Sequence, residues 1–135
     1  MSDQDPAPRK PVVLLVEDDT FLRDIFIRKA SETFTVLSTS EAKDVLSIAR
    51  EHIPDVVLLD LNLPDGNGFD ILRQIREDET LKATLVLILT NSVLSEDAMR
   101  SSELKADDFL TKANFSVEEI IQRIESHMAN KGLKV

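Results

Sequence analysis

A chain of 135 residues with 25 acidic and 16 basic side chains carries a formal charge of −9 at pH 7. The length fits one domain, and a 42% hydrophobic fraction argues against wholesale disorder. With no cysteine, the chain has no disulfides, zinc–thiolate sites or thiol chemistry. The acidic balance excludes broad binding to nucleic acid or anionic membranes, both of which need a basic face. It suits a basic partner or a divalent cation.

Along the chain, residues 1–10 read as a flexible tail, rich in proline and charge, with no apolar stretch of signal-peptide length. Three continuous aliphatic runs follow at Val12–Val16, Val56–Leu59 and Leu85–Leu89. All are too short to span a bilayer, which takes about 20 residues as helix. They read as strands buried on both faces of a parallel sheet. Phe34–Leu37 and Asp107–Thr111 are weaker strand candidates. Between the runs, apolar residues recur at helical spacing: Phe21, Leu22, Ile25 and Phe26; then Ala42, Val45, Leu46 and Ala49; then Phe69, Leu72 and Ile75. Leu94, Ala98 and Met99 make a weaker fourth stripe. Val117, Ile120, Ile121, Ile124 and Met128 make the fifth, opened by Ser116 and Glu119 at capping-box spacing. The pattern is β-α five times over, which predicts a three-layer α/β sandwich with right-handed crossovers. One domain is expected over residues 11–130, with a short tail at 131–135 and Gly132 as the stop. No export signal is present and the expected location is the cytoplasm.

Ligands of open α/β sheets bind beyond the carboxyl ends of the strands. There the chain places Glu17, Asp18 and Asp19 after strand 1, Asp60 after strand 3, Thr90 at the end of strand 4, and Thr111 and Lys112 after strand 5. Crowded carboxylates raise one another's pKa unless a cation compensates. Mg²⁺, which favours one or two carboxylates together with waters and phosphate oxygens, is the economical choice. A carboxylate near Mg²⁺, a hydroxyl and an ammonium is equipment for phosphoryl transfer. Singly, each residue also has a plain structural use: acids cap helices, and Pro64-Asp65-Gly66 is a turn signal. Their joint occurrence at four strand ends favours function.

The motifs V-E-D-D at 16–19, L-L-D-L-N-L-P-D-G-N-G-F-D at 58–70, L-T at 89–90 and A-D-D-F-L-T-K at 106–112 resemble the receiver domains of two-component response regulators. The likeness covers about Pro11 to Met128. It implies a flavodoxin-like sheet in the order 2-1-3-4-5. It also implies that Asp60 accepts a phosphoryl group from the phosphohistidine of a histidine kinase or phosphotransfer protein. Asp18 would hold Mg²⁺ directly and Glu17 through water, with the backbone carbonyl of Asn62 and Asp60 itself completing the set. Thr90 would hydrogen-bond the phosphoryl group, Lys112 would pair with it, and Phe109 falls at the aromatic switch position. Asp19 is expected as a helix cap and Asp65 as a turn residue. The output surface would be the face built from the fourth helix, fifth strand and last helix, bound by a downstream protein in a monomer or weak dimer.

Four departures from the family pattern stand out. Ala113-Asn114 replaces the proline after the lysine, so a trans Lys112–Ala113 bond is expected. Asn91 follows the switch threonine in place of a small residue, which narrows access to the phosphoryl group. Lys105 stands where glycine is common; a left-handed lysine costs roughly 1–2 kcal/mol, so a different loop is expected there. Phe109 has no hydroxyl and works through burial alone. His52 and His127 read as ordinary helix residues, and Asp108 with Arg123 as a possible surface pair. Met1 and the short tails favour a stand-alone regulator over an excised domain. Two further functions compete. One is a phosphorylation-independent interaction module. The other is a phosphatase with an aspartyl-phosphate intermediate, which Asn62 disfavours because it cannot transfer protons.

Overall fold

The computed structural model describes residues 9–133; most of the expected N-terminal tail and the last two residues lie outside the described residues. The chain runs β1 (Val12–Val16), α1 (Thr20–Ala30), β2 (Thr35–Thr39), α2 (Ala42–His52) and β3 (Val56–Leu59). It continues through α3 (Gly68–Glu77), β4 (Leu85–Thr90), α4 (Ser95–Glu103), β5 (Asp108–Thr111) and α5 (Val117–Asn130). The five strands form one parallel sheet in the order 2-1-3-4-5, as expected. Between β3 and α3, the expected turn at Pro64-Asp65-Gly66 closes a small hairpin in which Asn62–Leu63 pairs antiparallel with Gly66–Asn67.

Strand alternation divides the core in two. Leu14, Val16, Val57, Leu59, Val86 and Ile88 face α2 and α3, meeting Val45, Ala49, Leu72 and Ile75. Their neighbours Val13, Leu15, Val56, Leu58, Leu87 and Leu89 face α1 and α5, meeting Phe26, Ala30, Ile120, Ile124 and Met128. Each large side chain removed from water contributes about 1.5–3 kcal/mol, so the aliphatic strands and the helix faces packed on them share the fold's stabilisation. The helical stripes hold for α2, α3 and α5. They hold less well for α1, where Phe21 is 75% exposed. In α4 the expected stripe fails: Met99 and Leu94 are exposed, and the buried residue is Ser101. This helix covers the sheet edge only partly, so apolar residues are not required on its inner face.

Local capping fixes the helix entries. The Asp19 carboxylate accepts from Phe21 and Leu22 N–H, capping α1 as expected. Ser116 and Glu119 form the full capping box of α5. The Asp65 carboxylate does more than turn the chain. It accepts from the N–H groups of Ala42 at 2.7 Å and Lys43 at 3.1 Å, capping α2 from the hairpin. Those backbone hydrogen bonds hold the Asp65 carboxyl below its usual pKa.

The Lys112–Ala113 bond is trans, since no cis peptide bond occurs among the described residues. The expectation of a different loop at Lys105 is corrected: its φ is +69°, in the left-handed region. The strain is offset because Lys105 closes α4 in a Schellman turn. Its N–H reaches Ser102 O and that of Ala106 reaches Ser101 O. Arg76 of α3 then donates to the Lys105 carbonyl and to Asp107. Gly132 closes α5 in the same way at φ +82°, and Leu133 folds back onto the α1–α5 core. No helix among the described residues is long and apolar enough to cross a membrane.

Candidate functional site

The carboxyl ends of β1, β3, β4 and β5 converge. Glu17 leaves β1 fully buried, its backbone N–H bonded to Thr39 O. Asp18 next to it is exposed, and Asp60, after β3, is 5% exposed. One oxygen from each of Glu17, Asp18 and Asp60 lies within 4.8 Å of the others. Thr90 ends β4 wholly buried, and its carbonyl accepts the Lys112 N–H at 2.8 Å, tying the end of β5 to that of β4.

The Lys112 side chain reaches across these ends. Its ammonium lies 3.0 Å from Asp60 Oδ2 and 2.8 Å from Glu17 Oε1, bridging two buried carboxylates. Missing the proline after it therefore does not displace the lysine from the carboxylates. Burial works against the Lys112 ammonium, but its hydrogen bonds to Glu17 and Asp60 outweigh that and raise its pKa. Burial pushes the Glu17 carboxyl up, and the hydrogen bonds from Lys112 and the Asp19 N–H only partly oppose it. Asp60 Oδ1 accepts the Asn62 N–H at 3.1 Å, so the residue expected to offer its carbonyl also orients the carboxylate.

Three carboxylates against one ammonium leave an unbalanced negative charge. Glu17 Oε1, although close to Lys112, is a buried oxygen without a well-directed hydrogen bond. A hard, oxygen-seeking divalent cation answers both features, and the donor set is all oxygen.

Gly68 sets the spacing behind Asp60. A Cβ there would lie 2.5 Å from the Asp60 carbonyl oxygen and 2.8 Å from Leu61 Cα. The second glycine of the P-D-G-N-G run thus has a steric reason that the sequence alone did not reveal. Phe109, on β5 opposite Ile88, is half-buried and packs against the core on the α2–α3 side of the sheet. It borders a cavity of about 160 Å³ under α4, lined also by Ala98, Ser101 and Ser102. Asn91 is exposed at the mouth of the β4–α4 loop.

Away from the strand ends, Asp108 accepts from Arg123 at 2.6 Å and lies 2.8 Å from His127 Nε2. The expected pair is thus a trio, and His127 is more than an ordinary helix residue. Burial alone would raise the Asp108 pKa, but the hydrogen bonds from His127 and Arg123 hold it below its usual value.

Residues 13–125 match the family described as the response regulator receiver domain. The cell cycle response regulator CtrA of Brucella ovis is 36% identical over 115 residues, covering 84% of this chain and 48% of CtrA. The chain thus spans about half the length of the curated relatives it matches. Response regulator DrrB of Thermotoga maritima, an OmpR/PhoB homologue, superimposes with a TM-score of 0.78 at 28% identity, over 92% of this chain and 54% of DrrB. The BeF3-activated DrrB receiver domain gives 0.76 at 28% identity, over 90% and 99%. The Mn²⁺-bound form of response regulator Rcp1 gives 0.73 at 28% identity, over 86% and 92%.

Proposed function

We propose, from the premise that this chain belongs to the response regulator receiver-domain family, that it is a phosphoacceptor switch with Asp60 as the acceptor. What carries the reading is the partly buried Lys112 ammonium set between Glu17 and Asp60, with Thr90 at the neighbouring strand end. Receiver domains are signalling proteins that work with histidine kinases or phosphotransfer proteins and with downstream effectors. The proposed donor is accordingly a phosphohistidine on such a partner, received in a single domain over residues 11–130.

In the transfer, an Asp60 carboxylate oxygen attacks phosphorus, a P–O bond forms, and the P–N bond to the donor imidazole breaks. The imidazole keeps the bonding pair and takes up a proton. Asn62 N–H holds Oδ1 and orients the carboxylate for attack. Lys112, kept protonated by its two carboxylate partners, neutralises charge gathering on the phosphoryl oxygens. The Thr90 hydroxyl donates a hydrogen bond to one of those oxygens. Glu17, Asp18, Asp60 and the Asn62 carbonyl are the residues that would hold Mg²⁺. Bound there, the ion neutralises phosphoryl charge and balances the acidic cluster. Mn²⁺ in the relative Rcp1 supports this choice of cation class.

The new phosphoryl adds about −1.5 to −2 charges at one strand end. Thr90 and Lys112 answer by moving inward, and Phe109 follows into the space vacated, reshaping the α4–β5–α5 face for a partner. Incubation with Mg²⁺ and a small phosphodonor, followed by intact-mass measurement, tests the reading. The wild type should gain one phosphoryl and Asp60→Asn none. Rapid turnover of donor without an adduct would indicate a phosphatase instead, and neither adduct nor turnover a phosphorylation-independent module.

A further inference from the structure

We propose that Ser92 is a positioning residue that carries the movement of Thr90 into the first turn of α4; the proposal rests on the phosphoacceptor reading above. Phe109 lacks the hydroxyl through which an aromatic switch could hydrogen-bond, so burial is its one link to the site. A second, polar link runs from Thr90 into the loop before α4. Thr90 Oγ1 accepts the Ser92 N–H at 3.2 Å. Ser92 Oγ donates to Asp97 Oδ2 at 2.5 Å and accepts the Leu94 N–H at 3.3 Å. Asp97 closes the circuit through its own N–H to Leu94 O, and its carbonyl accepts from Ser101 Oγ at 2.8 Å.

These bonds take the place of a cap. The N-cap residue of α4 is Leu94, which has no polar side chain, so the Ser92 hydroxyl and the Asp97 carboxylate organise the entry of the helix. The rest of α4 is held by Ser101, its one buried residue, by Arg100 stacked 4.6 Å over the Phe69 ring, and by its closure at Lys105, so the entry itself rests on the Ser92 circuit. A Thr90 hydroxyl drawn toward a phosphoryl group on Asp60 leaves the Ser92 N–H without its acceptor. The Ser92 backbone then resets, and with it the two bonds its hydroxyl makes to Leu94 and Asp97. A weakly packed helix whose entry depends on one serine moves at small cost. Val93, Leu94 and Met99, exposed at 78%, 54% and 65%, ride on this same segment. Displacing it rearranges the apolar surface that a partner would read.

Hydrogen exchange over amides 92–98, with and without Mg²⁺ and the phosphoryl mimic beryllofluoride, tests the link on wild type, Ser92→Ala, Ser92→Thr and Asp97→Ala. Native mass spectrometry reports beryllofluoride uptake in the same samples. In the wild type, uptake should change exchange of these amides about fivefold, the scale of one hydrogen bond. Ser92→Ala should retain uptake but show the altered exchange before the mimic is added and little further change after it. Ser92→Thr, which keeps the hydroxyl, should restore the response. Should Ser92→Ala fail to fold, Asp97→Ala against Ser92→Thr carries the comparison. A full response in Ser92→Ala or Asp97→Ala overturns the proposal, as does wild-type uptake with no change at these amides; both leave the phosphoacceptor reading standing. Absence of uptake and of phosphorylation in the wild type overturns that reading and the proposal with it.

Discussion

Replacing Gly68 with alanine adds one methyl group where the chain has no room. The new Cβ would sit 2.5 Å from the Asp60 carbonyl oxygen, whereas ordinary contact begins at 3.4 Å, so that oxygen must retreat by about 0.9 Å. Both nearest neighbours are backbone atoms, and the Gly68 N–H to Leu61 O bond of 2.8 Å pins the same loop. Alanine gains about 1 kcal/mol in helix propensity. Overpacking against backbone costs about 1–3 kcal/mol, and here the upper part of that range applies because no side chain can yield. The net loss is about 1–2 kcal/mol, a fall in melting temperature of about 4–8 °C for a chain of this size. The displaced carbonyl belongs to the proposed acceptor. A misplacement approaching 1 Å slows phosphoryl uptake by roughly 10–100-fold. Thermal unfolding by circular dichroism and the time course of uptake from a small phosphodonor measure both effects. An alanine variant that melts at or above the wild type, with unchanged uptake, would refute the steric reasoning.

Three further outcomes are expected. Mg²⁺ should raise the melting temperature by mass action, and Asp18→Ala should remove most of that rise; an equal shift in the variant would place the ion elsewhere. Asp108, with its pKa lowered from 3.8, contributes stability that is present above pH 3.8 and lost as pH falls through the lower folded value. Asp108→Asn should therefore be about 1–2 kcal/mol less stable near neutral pH, with the gap closing below pH 3.8 in denaturant titrations; a gap independent of pH would contradict this. Asn91→Ala should shorten the lifetime of the phosphoryl group by opening access to it, and equal lifetimes would remove Asn91 from the account.

The strands were legible because both faces of β1, β3 and β4 are buried, which leaves continuous aliphatic runs with little ambiguity. The strand-end residues were legible for a related reason. A polar or charged residue that stops such a run is unavoidably at the sheet's carboxyl edge, so Glu17, Asp60, Thr90 and Lys112 could be grouped without coordinates. What stayed hidden depends on contacts between segments distant in sequence. Asp65 caps a helix that begins 23 residues earlier, and no local spacing signals it. His127 meets Asp108 only because α5 packs along β5. Arg76 reaches Lys105 and Asp107 from α3, holding a left-handed lysine whose local cost alone argues for another loop. In α4 the periodicity misled because the helix rests lightly on the sheet, so Leu94 and Met99 are free to face outward.

The central claim is that Asp60 carries the phosphoryl group. Borohydride reduces an acyl phosphate to an alcohol, so treating the phosphorylated protein and sequencing its peptides by mass spectrometry marks the acceptor side chain itself. The account predicts homoserine in place of Asp60 alone, and only when Mg²⁺ and donor were both present. Homoserine at Asp18, Asp65 or another aspartate with Asp60 unmodified would contradict it.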